Sequence, residues 1–599
     1  MELRRRGRLQ KVVLWTLVVV LSSSTAVEAA KGGLKGKWWE LRSEHFLLVT
    51  DARRTEAYET IEHLERIRAV FVQALPGLGA TTGPPLVVLA ARNERSMSRL
   101  MPEMYADALR ARPAGVFRST PTASMIAVRT DLIGGENFRV LYHEYFHAIV
   151  SQAGMRLPAW ASEGLANFWG GTRLTSEKAE VGRADMRRLE ALKSERLLPL
   201  EVLFSVDHSS PHYAKRHQAS QFYAQSWALT HYLLLGDESG ERSRQMQQYL
   251  ARVVRGEDSL AAAKASFGNL KTLEKELKPY SRSLLFDYAK MPLPEAVDRE
   301  KLVLRELSRG EAASRVAFWI LNGGTIRNAE PYVDQALAEE PELSLTQLVA
   351  GLKDLLGPNP GDAEAALEQA IRVSDAGALA HYSAAASLLY RDRRPQALHR
   401  AETLLLQAIS KDPGLAPAYA RLGWVYLQLD TGTARAQSMV RRALRLHPTS
   451  EFYRLLDARI ALLSGDREGA LEKAREVARE TMRTESGFWN RWVCEFGTRW
   501  GLVEGVFETC DEGVRLADGH SRAWDGRALA RVLRGEGRKA IGDFRAALER
   551  SGEIWWPEGR KDRRREWIRV LESGTQLDPE EVLRVLEEDP DERVVGWYY

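Results

Sequence analysis

The chain has 599 residues, of which 44% are hydrophobic and 28% charged, and its formal net charge is +4. This length exceeds what one hydrophobic core usually organises, so the chain is predicted to contain several domains. The near-balanced charge gives no support for a nucleic-acid partner, and the one basic run, residues 559–566, is interpreted as a solvated helix face. Two cysteines are too few for a disulfide framework to organise the fold.

The first thirty residues have the pattern of an export signal. Basic residues precede the apolar stretch 12–21, and small residues follow it, with Ala29 completing a suitable cleavage site. The stretch is shorter than the roughly twenty residues that a membrane-spanning helix needs. We therefore expect a signal peptide over residues 1–30 and an exported protein, periplasmic or secreted, with no membrane span after cleavage. An uncleaved membrane anchor is the alternative.

Residues 31–295 are predicted to form a domain that mixes strands and helices. Residues 45–51 and 85–91 are short, β-branched segments bounded by turn formers, which indicates buried strands, and residues 56–75 between them have helical periodicity. Residues 115–131 predict two strands around a turn. We expect one of these two strands to form the sheet edge over a cleft, where an extended peptide could add as a further strand.

The segment HEYFH, residues 143–147, suggests a metal site. It lies in a helix predicted to begin near Asn137 and to end at Gly154, so its two histidines, four residues apart, share one helix face. Two neutral imidazoles suit Zn²⁺, and Glu144 would lie toward the same cleft, free to accept a proton from the attacking water.

A second segment, LPAWASEGLANFW at residues 157–169, offers a third ligand. It is predicted to be a helix that starts at Pro158 and carries Glu163 in its middle. Because the intervening loop is short, the two helices can fold back on each other and bring Glu163 to the histidine pair, as a catalytic zinc requires. Asn167, one turn further on, is expected to bond the outer nitrogen of His143.

Together these segments resemble the gluzincin metallopeptidases, in which HExxH precedes a helix reading W-x-x-E-G-x-A, here residues 160–166. More narrowly, the chain resembles secreted bacterial proteins of the peptidase MA-like, DUF1570-type group over about residues 38–285. The resemblance implies an α+β zincin-like domain, with a small sheet, the HExxH helix and a helical subdomain. It also implies zinc bound by His143, His147 and Glu163.

The same resemblance implies that Glu144 is the general base. Tyr223 lies in a further family-like segment, residues 221–234, and gluzincin aminopeptidases use a tyrosine in a comparable position to stabilise the oxyanion. The alternative for Tyr223 is a core aromatic residue, and His231 is a weaker candidate for the same role. The gap between the second and third ligands is shorter than in many gluzincins, and relatives often carry an acid at position 167.

Residues 296–599 are predicted to be all helical, without strands beyond about Lys301. Spacings of small and large residues resemble the 34-residue tetratricopeptide repeat (TPR), most clearly over residues 419–448 and again over 524–547. Small residues allow the two helices of a pair to approach, and pairs must stack to bury their apolar faces. Cys494 and Cys510 fall on small-residue positions and are expected to be separate buried residues, although one bridge is chemically permitted. An unrelated α-helical domain is the alternative for this region.

These features predict a secreted or periplasmic zinc-dependent peptidase, an endopeptidase by family resemblance, whose TPR solenoid binds a protein substrate or partner. A catalytically idle interaction scaffold in the cell envelope is one alternative. A metal hydrolase acting on a non-peptide substrate, such as a cell-wall amide, is another.

Overall fold

The computed structural model describes residues 33–75, 84–106, 112–132, 138–194, 196–207, 210, 212, 216–283, 285–293, 297–323, 325–357, 360–429, 432–482, 486–517, 519–551 and 556–588. The predicted signal peptide lies outside these ranges. Within them, no helix combines the length and the apolar character needed to cross a membrane.

The larger of two sheets has six strands in the order β4-β5-β3-β2-β1-β9. Strands β2, β3 and β5 run parallel, whereas β1, β4 and β9 are antiparallel to their neighbours. A smaller sheet has the order β6-β7-β8. The bounds are β1 Trp38–Arg42, β2 Phe46–Thr50, β3 Leu86–Ala91, β4 Gly115–Ser119, β5 Ser124–Arg129, β6 Arg173–Leu174, β7 Lys178–Val181, β8 Ala289–Pro292 and β9 Val303–Leu307.

Strand β9 corrects the expectation that no strand follows Lys301. Its five residues pair in register with β1, from Val303 opposite Arg42 to Leu307 opposite Trp38. Three of the five side chains are exposed, so the segment lacks the alternation that identifies a strand by sequence. Its strand conformation follows from pairing with the open edge of β1. The large sheet therefore includes residues that follow the boundary predicted at 296.

Eleven helices belong to the first part of the described chain. They include the three helices predicted over residues 56–75, near residues 137–154 and from Pro158 onward. Their bounds are α1 Arg54–Ala74, α2 Glu94–Leu100, α3 Pro102–Ala106, α4 Arg139–Gln152, α5 Ala159–Gly170, α6 Met186–Ser194, α7 Leu200–Ser205, α8 Arg216–His231, α9 Glu241–Val254, α10 Ser259–Phe267 and α11 Leu270–Tyr280. Helices α4 and α5 carry the two segments that the sequence marked as a metal site.

The rest of the described chain is a solenoid of TPR-like helix pairs. Its helices are α12 Arg309–Leu321, α13 Ile326–Glu339, α14 Ser344–Leu356, α15 Ala363–Arg372, α16 Ala378–Arg391, α17 Pro395–Lys411, α18 Ala416–Gln428, α19 Thr433–Leu446, α20 Glu451–Leu463, α21 Arg467–Met482, α22 Gly487–Arg499, α23 Val503–Leu516, α24 Ser521–Leu533, α25 Gly537–Arg550, α26 Glu558–Glu572 and α27 Pro579–Glu588. Close approach depends on the predicted small residues: a Cβ at Gly423 on α18 would lie 2.8 Å from a methyl carbon of Val440 on α19.

The sheet and the solenoid share one hydrophobic core. Buried residues of β2, β3 and β5 lie in the same apolar cluster as residues of the first repeats. Trp319 on α12 is fully buried and donates a hydrogen bond from its indole nitrogen to the carbonyl of Leu100, at 3.0 Å. The guanidinium of Arg118 on the edge strand β4 lies 4.4 Å from the centroid of the Trp319 ring. The solenoid is thus attached to the sheet through its first helix pair.

Two further expectations about the solenoid are wrong. Cys494 on α22 and Cys510 on α23 form a disulfide, because the paired helices bring their Cα atoms to 4.9 Å. The basic run on α26 is not a fully solvated face, since Arg560 and Arg564 are buried. Arg564 donates two hydrogen bonds to the carboxylate of Asp525 on α24, at 2.6 and 3.0 Å.

Candidate metal and active site

Helices α4 and α5 form an antiparallel hairpin that carries the predicted ligands. A Cβ at Gly170, the last residue of α5, would lie 2.9 Å from the carbonyl oxygen of Arg139, the first residue of α4. The same glycine lies against Cβ of His143. The small residue therefore allows the end of one helix to pack directly on the start of the other. On the opposite side of α5, Gly164 provides the same close approach to α8 at Ser226.

The three predicted ligands converge on one point. Nε2 of His143 lies 3.1 Å from Nε2 of His147, and the Oε2 atom of Glu163 lies 3.4 and 3.8 Å from these two nitrogens. Tetrahedral zinc with bonds of about 2.0–2.1 Å places its ligand atoms about 3.3–3.4 Å apart. The spacing of the donor atoms therefore fits a zinc ion. Among the described residues, this is the one group of three metal-ligating side chains that meets at a point.

The charges at this point also favour a cation. Burial lowers the pKa of His143, but its hydrogen bond to Glu163 and the charges of Glu144 and Glu163 outweigh that effect and raise the pKa. The local potential is thus negative enough to stabilise positive charge between the helices. Ser162 lies 3.4 Å from Nδ1 of His147, on the ring edge away from the ligand atom.

The expected bond between Asn167 and His143 does not form. Instead, the amide oxygen of Asn167 accepts a hydrogen bond from the guanidinium of Arg188 on α6. The Asn167 amide nitrogen is buried and has no hydrogen-bond partner among the described residues. Asn167 therefore connects the ligand helix α5 to α6 rather than orienting the imidazole.

Glu144 lies in the same cavity as the three ligands and contacts the edge strand. Its Oε2 atom accepts a hydrogen bond from the backbone N–H of Phe117, at 2.8 Å. A Cβ at Gly115 would lie 2.6 Å from a methyl carbon of Val140 and 2.9 Å from Cγ of Glu144, so glycine permits β4 to approach α4. Removal from water raises the pKa of Glu144 to about 7; the Glu163 charge adds to this rise, and His143 and the Phe117 N–H oppose it.

Strand β4 is the edge of the sheet over the cleft, as the hypothesis from the sequence required. Ala114 accepts a backbone hydrogen bond from Arg129 of β5, and Thr120 and Ala123 bond each other across the turn between the strands. The alternate residues Gly115, Phe117 and Ser119 therefore direct their backbone groups away from β5. The bond from Phe117 to Glu144 follows that direction. The outer edge of β4 therefore presents peptide groups beside the three ligands.

Tyr223 and His231 lie on the same helix, α8, but have different surroundings. Tyr223 is half-buried and lines the cavity with the ligands. His231 is fully buried, away from the cavity lining. Its Nδ1 lies 2.6 Å from the hydroxyl of Tyr280, and its Nε2 lies 2.9 Å from the carbonyl of Gly182. His231 is a packed core residue, which leaves Tyr223 as the aromatic candidate at the site.

Arg188 is a residue of this site that the sequence did not reveal. It lines the cavity and interacts electrostatically with Asp185, Glu163 and Tyr223, while burial lowers its pKa. It lies on α6, a short helix whose pattern of charged residues is like that of any exposed helix. No local signal in the sequence marks Arg188, because the packing of α6 on α8 directs it toward the cavity.

The cavity at the ligands is large, and the solenoid forms part of its wall. Its volume is about 2130 Å³, and its lining extends from β4, α4 and α5 to the first turns of α20 and α22. Arg156, in the loop between α4 and α5, pairs with the buried carboxylate of Glu451 on α20, with nitrogen–oxygen distances of 2.7 and 2.8 Å. Arg156 also donates to the carbonyl of Thr449, at 2.9 Å. The solenoid thus holds the loop that joins the two ligand helices.

One segment of the chain matches a known protein family. Residues 139–251 match the family described as "Protein of unknown function (DUF1570)". The segment contains the ligand helices α4 and α5 and also Tyr223. No curated protein matches the chain. The match confirms the resemblance to the DUF1570 group, whereas the wider resemblance to gluzincins stays a prediction.

Solved structures similar to the chain include two that are described as tetratricopeptide repeat proteins. PilF of Pseudomonas aeruginosa is 16% identical, with 37% of this chain and 96% of that protein covered and a TM-score of 0.28. A tetratricopeptide repeat protein from Parabacteroides merdae is 13% identical, with coverages of 43% and 98% and a TM-score of 0.32. YrrB, described as a TPR protein with an unusual peptide-binding site, is 16% identical, with coverages of 31% and 92% and a TM-score of 0.20. The family match covers residues 139–251, and the helix pairs of the solenoid lie beyond it in the chain.

Proposed function

We propose that this protein is an exported zinc-dependent peptidase. The observation that carries the proposal is the convergence of Nε2 of His143, Nε2 of His147 and Oε2 of Glu163 at separations of 3.1 to 3.8 Å. All three residues line an open cavity, which leaves a fourth coordination direction for water or substrate. A bound zinc ion supplies a Lewis acid that polarises a carbonyl group and lowers the pKa of water toward neutrality.

Glu144 is proposed as the general base. It is next to His143 in the chain, is separate from the three ligand atoms and faces the same cavity. Its pKa of about 7 suits proton transfer at neutral pH, and a nearby cation would lower that pKa and keep the carboxylate ionised. Glu144 would accept the proton of the attacking water and then pass it to the leaving amine.

The edge strand β4 is proposed to hold the substrate backbone. Its outward peptide groups at Gly115 and Ser119, together with the carbonyl of Phe117, could pair with an extended peptide, as in other cases of strand addition, while the Phe117 N–H stays bonded to Glu144. That pairing would align a peptide carbonyl along the strand, beside the ligand cluster. Tyr223, on the cavity wall, is proposed to donate a hydrogen bond to the oxyanion.

An endopeptidase fits this arrangement because a cleft along a strand edge accepts the middle of a chain as well as its end. The solenoid is proposed to bind the protein substrate or a protein partner. Export to the periplasm or beyond remains part of the proposal, in keeping with the disulfide between Cys494 and Cys510.

The test combines metal content and cleavage on the purified full chain. Zinc is measured by mass spectrometry in the wild type and in the Glu144→Ala and His147→Ala variants, and each protein is incubated with unfolded casein. We expect one zinc per chain in the wild type and in Glu144→Ala, none in His147→Ala, and cleavage by the wild type alone. Zinc without cleavage of any polypeptide would favour the scaffold alternative. A wild type that takes up no zinc when it is supplied would refute the proposal.

A further inference from the structure

The cavity at the ligand cluster is larger than a small-molecule site. Its volume of about 2130 Å³ compares with about 300–1,000 Å³ for typical ligand pockets. Its far wall is formed by the solenoid, at the first turns of α20 and α22. The contacts of Arg156 with Glu451 and Thr449 hold that wall against the loop between the ligand helices. The space is therefore continuous from the ligands to the solenoid.

The solenoid wall carries an exposed aromatic side chain. Phe488, in the first turn of α22, lines the cavity and is 41% exposed. Nine large apolar side chains are exposed in the described part of the chain, and Phe488 is the one aromatic among them. Its ring lies 5.1 Å from that of Trp489, at an interplanar angle of 84°. Trp489 and Leu516 line the cavity beside it.

The first turn of α22, which carries Phe488 and Trp489, is held in position by its cap residue and by contacts with α23. The hydroxyl of Ser486 accepts a hydrogen bond from the backbone N–H of Trp489, at 3.3 Å. A Cβ at Gly487 would lie 3.0 Å from the carbonyl group of Leu516, so the turn is pressed on the end of α23. The disulfide between Cys494 and Cys510 joins the same two helices. A rigid aromatic surface loses little conformational entropy on binding.

We infer that Phe488, Trp489 and Leu516 form a subsite on the solenoid for a bulky apolar side chain of the polypeptide substrate. The inference rests on the proposed function, because the occupant is the chain whose backbone lies along β4. Continuity of the cavity favours this occupant over a separate partner, which would have to share the same space. The favoured substrate is thus an extended or unfolded polypeptide that carries an apolar residue at a distance from the cleaved bond. Aromatic anchors of this kind dominate the energetics of many interfaces.

The test measures binding separately from cleavage. Fluorescently labelled unfolded casein is titrated with the full-length Glu144→Gln protein, and binding is followed by anisotropy. Phe488→Ala in this background should weaken binding about tenfold, because an aromatic anchor is removed. Phe488→Leu should retain most of the binding, since it keeps an apolar side chain. Leu463→Ala is the matched control, because Leu463 is 47% exposed on the solenoid outside the cavity lining, and it should leave binding unchanged.

A pair of designed peptides tests the chemistry of the subsite. The two peptides are identical except that the bulky apolar residues of one are replaced by serine in the other. The apolar peptide should bind more tightly, and only its binding should respond to Phe488→Ala.

The outcomes separate the two proposals. Equal binding by the Phe488→Ala and Leu463→Ala proteins would overturn the subsite, even if the wild type cleaves casein and the proposed function stands. Conversely, binding that depends on Phe488 in a protein that takes up no zinc would support the subsite and refute the peptidase.

Discussion

Two groups of ionisable side chains differ in how their partners are arranged. At the ligand cluster, where the two imidazoles are half-buried and the carboxylate is buried, the ligand atoms of His143, His147 and Glu163 face one another and an open cavity. In the solenoid, Arg564 and Asp525 form a closed pair in which the guanidinium donors meet both carboxylate oxygens. Both groups lie on packed helices.

The difference indicates what each group is for. A pair of opposite charge satisfies its two side chains with each other, and this one joins α24 to α26. Ligand atoms that converge concentrate negative charge at one point, which a proton on an imidazole or a metal cation offsets. Burial alone therefore does not mark a functional site; the direction of the lone pairs does. Four predictions test this distinction.

The largest expected effect concerns Glu144→Gln. Loss of the general base should lower kcat by about 10²- to 10⁴-fold, because amide hydrolysis then lacks its proton acceptor. Zinc content and the urea midpoint of unfolding should stay close to the wild type. The measurement is kcat on casein or a quenched peptide, with zinc determined on the same samples. Loss of zinc in this variant would contradict the separation of base and ligands.

Asp525→Ala should lower the stability of the fold rather than the catalytic rate. It leaves the guanidinium of Arg564, which is 0% exposed, without its carboxylate and should destabilise the protein by about 3–5 kcal/mol. Zinc per folded chain should not change. Urea unfolding followed by circular dichroism measures the effect. Arg584→Ala, in an exposed pair with Glu581, is the control and should cause no measurable change. Equal stabilities of the two variants would mean that the buried pair is not structural.

Acidification of the zinc-free protein should destabilise both regions through half-buried histidines. His63 and His520 both have a pKa lowered to about 4, by burial first and then by nearby arginines. Their neutral forms stabilise the fold above pH about 6.5, and this stabilisation is lost as pH falls toward 4. It amounts to up to about 3 kcal/mol for His63 and to less for His520, whose ring is partly exposed to solvent. Urea unfolding at pH 7 and pH 4.5 measures the loss. His63→Gln and His520→Gln should each reduce it, and an unaltered pH dependence in both would disprove the assignment.

The smallest expected effect concerns the contact between the two regions. Arg156→Ala removes the link from the loop between α4 and α5 to Glu451 and Thr449 of the solenoid. Hydrogen exchange of residues 153–158 should speed up, and kcat/KM should fall by about two- to fivefold as the ligand helices lose precise alignment. Arg244→Ala, in an exposed pair with Glu241, is the control. Exchange in the loop that matches the wild type would show that the solenoid does not position the site.

Much of the ligand cluster could be predicted because it is local. The i and i+4 spacing places His143 and His147 on one face, and a short hairpin leaves Glu163 few other positions. The residues around the ligands are predicted less well. The sequence spacing predicts a hydrogen bond between Asn167 and the imidazole of His143. In the structure, Arg188 on a neighbouring helix donates a hydrogen bond to the amide oxygen of Asn167 instead. His231, the weaker candidate for the oxyanion role, packs in the core against Tyr280.

Local sequence is sufficient to predict the helix that carries HEYFH, the helix with the third ligand and the helix pairs of the solenoid. Each is specified by periodicity and small residues within a few turns of chain. Tertiary packing, in contrast, brings β9 into the sheet, bonds Cys494 to Cys510 and turns Phe488 toward the cavity of the ligands. These features depend on which surfaces meet after the chain packs. The local sequence pattern does not record that meeting, whether the partners are 16 residues apart, as the cysteines are, or hundreds apart.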